Sequence, residues 1–278
     1  MAEDDYRSRS YATWETMAPG WERERAELWE ISHVVGEWMV EKLAPEPDQT
    51  VLELAAGPGD TGFLAAPLLG ENGRLISTDF SPSMVEVARR RGAELGLANV
   101  EYRVLDAEQM ELESDSVDGV MCRWGYMLMA DPQAAFRETR RVLRPGGRLV
   151  LSVWGAPDRN PWALPGRILV ERGLMPPPDP ATPGLFNMAD PRRITQLAKT
   201  AGFAEPEIEE QEVVWAFDDF DAYWRFITDL AGALSMILTQ LPEEEREDVR
   251  REVEEGVAPF RSDGGLAFPG LCLNAAAS

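Results

Sequence analysis

Three observations predict a doubly wound α/β fold built on a seven-stranded sheet. The first is the run at residues 51–62, Val-Leu-Glu-Leu-Ala-Ala-Gly-Pro-Gly-Asp-Thr-Gly, in which an apolar strand ends at Glu53, breaks into Gly57-x-Gly59-x-x-Gly62 and opens a helix. The second is the alternation that follows, with short apolar stretches at 74–78, 100–105 and 117–122 separated by polar and helix-compatible segments. The third is an acid, Asp79, placed 22 residues after Gly57 where the second of these strands ends. Open α/β sheets hold their ligands at such strand ends.

Composition narrows the function. The chain has 278 residues, 44% of them hydrophobic, enough for one large domain with additions. A net charge of −22 and a pI near 4.4 disfavour a nucleic-acid partner, because affinity for a polyanion rests on Lys and Arg. Cys122 and Cys272 each lie in an apolar stretch and read as buried thiols, consistent with a reducing cytoplasm. His33 is the only histidine, so no metal site is expected. The N-terminus shows no export signal and no run is long enough to span a membrane, so a cytoplasmic protein is expected.

A glycine loop at a helix N-terminus presents backbone N–H groups and partial positive charge to an anionic group. By itself the glycine pattern also fits a dinucleotide, with Asp79 on the ribose. Glu53 separates the two readings, because a carboxylate ahead of the loop repels a pyrophosphate and favours the ammonium and sulfonium of S-adenosylmethionine. At about 4 Å and an effective dielectric near 20 such a charge is worth roughly 4 kcal/mol.

Read in order, residues 51–62, 77–84 (Ser-Thr-Asp-Phe-Ser-Pro-Ser-Met), 104–110 (Val-Leu-Asp-Ala-Glu-Gln-Met), 118–132 and 141–155 (Arg-Val-Leu-Arg-Pro-Gly-Gly-Arg-Leu-Val-Leu-Ser-Val-Trp-Gly) resemble the class I S-adenosylmethionine-dependent methyltransferases, especially the ubiquinone and menaquinone C-methyltransferase group. The resemblance covers about 50–155 and implies a Rossmann-like, mostly parallel sheet whose seventh strand is antiparallel. It implies S-adenosylmethionine as methyl donor, S-adenosylhomocysteine as product and a small-molecule acceptor. The cofactor set comprises Glu53, Ala55, Gly57, Gly59, Asp79, Phe80, Met84, Asp106, Ala107, Glu108 and Arg123. In this set Asp79 takes the ribose, Phe80 packs on adenine, and 106–108 meet the adenine amino group. The strand ending at Cys122 leads to Arg123, Trp124 and Tyr126, which can orient an acceptor or stabilise developing charge.

The flanks fall outside the resemblance. Residues 1–19 are polar with interspersed aromatics, and Pro19-Gly20 precedes a helix from Trp21 to Leu43 whose apolar residues share one face. Residues 1–43 are read as a helical lid on a methyltransferase domain at 44–278, with cap insertions at about 155–189 and 218–258. Trp14, Trp21 and Trp224, with Trp124 and Tyr126, are the expected acceptor contacts, and they suggest an apolar or aromatic acceptor. Two other readings stand beside this one: a protein that binds the cofactor without chemistry, and an NAD-dependent oxidoreductase. The acceptor, the atom methylated, any general base and the oligomeric state are not legible.

Overall fold

The computed structural model describes residues 2–179 and 182–278. The parallel strands are β1 (Thr50–Glu53), β2 (Arg74–Asp79), β3 (Val100–Val104), β4 (Val117–Arg123) and β5 (Leu143–Trp154). They are joined by β6 (Glu207–Phe217), the two-residue β7 (Arg261–Ser262) and β8 (Gly265–Ala277). The order across the sheet is β3-β2-β1-β4-β5-β8-β6, with β7 pairing β8. As expected of the seventh long strand, β8 runs antiparallel, and it does so to both neighbours.

From β1 the chain steps to β2 through α3 (Asp60–Ala65), and from β4 to β5 through α5 (Pro132–Val142). Both crossovers are right-handed by rule and run in opposite directions, so these helices lie on opposite faces. The reversal between β1 and β4 opens a crevice at their carboxyl ends, which is where the glycine loop lies. Helix α4 (Pro82–Glu94) begins at Ser81, whose hydroxyl accepts the Met84 N–H at 3.1 Å, and α5 begins at Asp131 in the same way; both have Pro at the first helical position. The Arg144-Pro145-Gly146-Gly147 link bulges out of β5, with Gly146 left-handed, and pairing with β4 resumes at Arg148.

The N-terminal reading needs correction. Residues 2–23 form one helix, α1 (Ala2–Arg23), which runs through Pro19 and Gly20 and breaks only at Glu24, before α2 (Arg25–Leu43). Pro19 removes one helical hydrogen bond without ending the helix. Gly20 serves a close approach: a Cβ there would sit 3.1 Å from the Asp229 carbonyl carbon. The two helices have different places. Helix α2 buries Leu28, Ile31, Val35, Met39 and Leu43 and packs on the sheet from β4 to β6, whereas α1 packs on α4 and on α8 (Phe220–Leu230) and α9 (Gly232–Gln240).

The insertion at 155–189 contains α6 (Leu164–Glu171), and its residues 180–181 lie outside the described residues. After it come α7 (Pro191–Ala201) and, beyond α9, α10 (Glu243–Gly256). No helix among the described residues is long and apolar enough to cross a membrane.

Candidate active site at the glycine loop

The loop after β1 carries three left-handed residues, Ala55 (φ 50°), Gly57 (φ 54°) and Gly59 (φ 88°). At Gly59 a side chain is also excluded by space, since a Cβ would lie 2.5 Å from the Phe63 ring. Two acids hold the loop from beneath. Asp79, at the end of β2, accepts the Gly57 N–H at 2.9 Å on one oxygen and the Ser81 N–H at 2.9 Å on the other. Glu53 accepts the Gly62 N–H at 2.7 Å and the Ser77 hydroxyl at 3.2 Å. At 2% exposure Glu53 is sealed beneath the turn, where these two bonds brace the loop.

Burial shapes both acids. It pushes Glu53 up to about 8 against the pull of the Gly62 N–H, and Asp79 up to about 6 against the backbone N–H groups of Ser81 and Gly57. A carboxyl raised in the fold stabilises most below its unfolded value near 4.5, and that stability is lost as pH rises through about 8. Glu53→Gln keeps an acceptor for Gly62 and a polar partner for Ser77 without the charge. We expect it to exceed wild type at pH 9 by on the order of a few kcal/mol and to match it near pH 5. Parallel urea-midpoint curves for the two proteins across that range would refute the assignment.

On the expected adenine side the carboxylates are engaged within the protein. Glu108 is turned inward, accepting the Ala130 and Asp131 N–H groups at 2.8 and 2.9 Å and pairing with Arg7, so its carboxylate is already engaged. Met84, in the first turn of α4, is fully buried. Asp106 accepts the Glu108 N–H at 2.8 Å with its side chain partly exposed, and Ala107 beside it is partly buried. Phe80 is half-buried, with Tyr11 edge-on at 5.5 Å.

At the end of β4, Arg123 donates from Nε to Thr61 Oγ1 at 2.7 Å, and its guanidinium lies 4.5 Å from the Trp124 ring centre. Trp124 is left-handed (φ 59°), and its ring stacks on Trp154 at 4.1 Å. Tyr126 does not reach the site. It is fully buried, packs on Phe136 and hydrogen-bonds Thr139 at 2.5 Å, because a large apolar ring with one polar atom finds both needs met under α5. Trp224 stacks on Phe220, one turn earlier in α8.

Helix α1 lies across all of this. Tyr6 donates to the Leu128 carbonyl at 2.9 Å, Arg7 meets Asp106 and Glu108, Glu15 engages Ser81 and Ser83, and the Trp21 ring lies 3.8 Å from where Gly57 would carry a Cβ. Trp14 packs edge-on to Trp21 at 5.6 Å. An open cleft of about 850 Å³ lies at the other end of the sheet, between Gly70, Arg74, Asn99 and Glu101, and holds none of the expected site residues.

Residues 45–164 match the methyltransferase domain family. Over these residues the chain carries a methyltransferase domain. The domain is 38% identical over 109 residues to an arsenite methyltransferase of Halobacterium salinarum, a stretch covering 39% of this chain and 28% of that protein. It is 35% identical over 114 residues to a ubiquinone/menaquinone biosynthesis C-methyltransferase of Klebsiella pneumoniae, covering 41% of this chain and 45% of that one. The chain thus spans less than half the length of these curated relatives. Among solved structures, the YcgJ protein of Bacillus subtilis superposes with a TM-score of 0.61 at 20% identity, over 88% of this chain and 97% of that one. A putative methyltransferase of Bacillus halodurans gives 0.56 at 22%, over 87% and 97%. These likenesses establish the fold of the methyltransferase domain.

Glu15 and Arg7 had no sequence signal, since acidic and basic residues on a polar helix read as solvated. Thr61 went unnoticed inside the glycine motif of the methyltransferase domain, although a hydroxyl in the first turn of a loop helix is well placed to meet a neighbouring strand end.

Proposed function

We propose that this protein transfers a methyl group from S-adenosylmethionine to a small-molecule acceptor with an apolar or aromatic body. The observation that carries the reading is the side-chain-poor loop at Ala55, Gly57 and Gly59 beside the Asp79 carboxylate, inside a methyltransferase domain. Ala55 is exposed although its neighbours are buried, which leaves the loop backbone open to a ligand. Asp79 accepts the Gly57 and Ser81 N–H groups on different oxygens with the Phe80 N–H beside them, and a carboxylate has about four lone-pair sites, so capacity remains for a ribose hydroxyl. Phe80 offers a ring face to adenine, Asp106 and Ala107 form the rim beyond it, and Arg123 stands at the methionine end.

When bound, S-adenosylmethionine supplies a methyl group already activated on a sulfonium. The chain's part is to align an acceptor with it and keep water out, effects that reach about 7–11 kcal/mol in favourable cases. Helix α1 is assigned as the lid, with α8 and α9 as its seat. Trp14 and Trp21 then form the underside facing the loop, and Trp124 the opposing wall. Arsenite is not proposed as acceptor, because soft arsenic calls for accessible thiols and both Cys122 and Cys272 are buried in the sheet.

Calorimetry with S-adenosylhomocysteine and with NAD tests the cofactor: binding of the first and none of the second is expected, and the reverse overturns the proposal. Transfer of labelled methyl to a panel of phenols, quinols and amines tests the chemistry, and binding without any transfer would favour a non-catalytic role. Deleting residues 2–19 is expected to lower turnover at least tenfold while S-adenosylhomocysteine affinity falls less, because the loop and Asp79 remain. Full turnover in the truncated protein would remove α1 from the site.

A further inference from the structure

A row of polar residues crosses the sheet beside the glycine loop. Arg123 of β4 pairs in register with Ser152 of β5, and Ser152 with Asn274 of β8. Their side chains therefore share one face, on strands about 4.8 Å apart. Asn274 and Ser152 are completely buried, yet neither amide atom of Asn274 has a hydrogen-bond partner. The same holds for Nη1 of Arg123. Trp124 Nε1 and the Ser152 hydroxyl have only the Cys272 thiol, a weak acceptor, and Cys272 is two residues from Asn274 on the same strand face. Buried polar groups in native proteins nearly always have partners, so three unpartnered atoms beside two held only by a thiol mark a position that something fills.

The chemistry of that occupant follows from what the row offers. Arg123 Nη1, Trp124 Nε1, Ser152 Oγ and Asn274 Nδ2 are donors, against acceptors only at Ser152 and Asn274 Oδ1. Charge points the same way within a chain of net −22. Asp60 is shared by Arg25 at 3.1 Å and Arg91 at 3.8 Å, and Glu53, raised to about 8, leaves little negative charge for Arg123 at neutral pH. Cys272, pushed up to about 12, adds none. Through Thr61 the guanidinium is tied to the first turn after the glycine loop, so the row borders the reacting centre.

We propose that Arg123, Trp124, Ser152 and Asn274 form a buried carboxylate-binding subsite, filled by the amino-acid end of the methyl donor or by the acid group of an acceptor. It rests on the methyltransferase reading and deepens it. Indole N–H signals of labelled protein test it, with Trp124→Phe identifying the Trp124 signal. The probes are 5′-methylthioadenosine, which lacks a carboxylate, S-adenosylhomocysteine, and benzoate alone or added to the latter.

The Trp124 signal is expected to stay in place with 5′-methylthioadenosine and to move with a carboxylate-bearing probe. Asn274→Leu and Ser152→Ala should each weaken that probe about tenfold. Movement with S-adenosylhomocysteine names the donor as the source, and movement only on adding benzoate names the acceptor. If neither carboxylate moves the signal, or both variants bind both probes as tightly as wild type, the subsite is refuted while nucleoside binding can still stand. If benzoate alone moves it and neither adenosine compound binds, the subsite stands and the methyltransferase proposal fails.

Discussion

Replacing Gly62 by Ala is expected to cost this protein roughly 3 kcal/mol or more and to lower its melting temperature by about 6–12 °C. Nothing about the backbone of Gly62 forbids a side chain, since it lies in the first turn of α3 with ordinary helical geometry. The obstacle is Glu53. A Cβ on Gly62 would stand 2.6 Å from the Glu53 carboxyl carbon and closer still to one of its oxygens. The carboxyl cannot retreat without losing the Gly62 N–H and the Ser77 hydroxyl, and it has no water to turn to at 2% exposure. The loss thus combines overpacking with a broken buried hydrogen bond. Calorimetric melting decides it: a Gly62→Ala protein within a degree of wild type would mean that Glu53 does not lie under the loop.

Asp79→Ala should have a comparably large effect, divided between stability and binding. The substitution leaves the Gly57 and Ser81 N–H groups buried without acceptors, at about 1–3 kcal/mol each, and removes a charged acceptor from the proposed ribose site, worth about 1.5–3 kcal/mol. A ten- to hundredfold loss of S-adenosylhomocysteine affinity is expected from a protein that still melts cooperatively. Asp79→Asn should do nearly as badly despite its matching shape, because its amide nitrogen would face a backbone N–H where an acceptor is needed. Calorimetric titration of both variants checks this, and wild-type affinity in Asp79→Ala would remove the residue from the cofactor site.

The sheet was readable because each buried strand is a short apolar run bounded by turn residues, and because Ser81-Pro82 and Asp131-Pro132 announce helix starts without ambiguity. Direction of side chains was not readable. Glu53 and Asp79 are both buried acids at strand ends, yet one takes the N–H of Gly62 in the first turn of α3 and the other that of Gly57 in the loop, a difference set by the local course of the loop. Tyr126 and Trp124 are neighbours of the same character, and only the left-handed backbone at Trp124 separates a ring that borders Arg123 from one that goes into the core. Gly20 misled because a glycine serving close helix contact looks like one ending a helix. The row from Arg123 to Asn274 was hidden for another reason, since in-register neighbours on three strands are up to 151 positions apart in the sequence and only the pairing brings them together.

The place of β8 between β5 and β6 bears on how the molecule is made. In synthesis order Glu207–Phe217 emerges before Gly265–Ala277, but it has no strand to lie against until the later segment inserts beside β5. For that interval the growing sheet ends at Leu143–Trp154, and both the waiting strand and that edge are open to wrong partners. Closure of this half of the sheet is a non-local event, of the kind that slows folding. The acidic residues Glu207, Glu209, Glu210 and Glu212 along the waiting strand give it a charge that discourages pairing with another copy in the meantime. Part of the protein's large negative charge thus has a use before the native state exists.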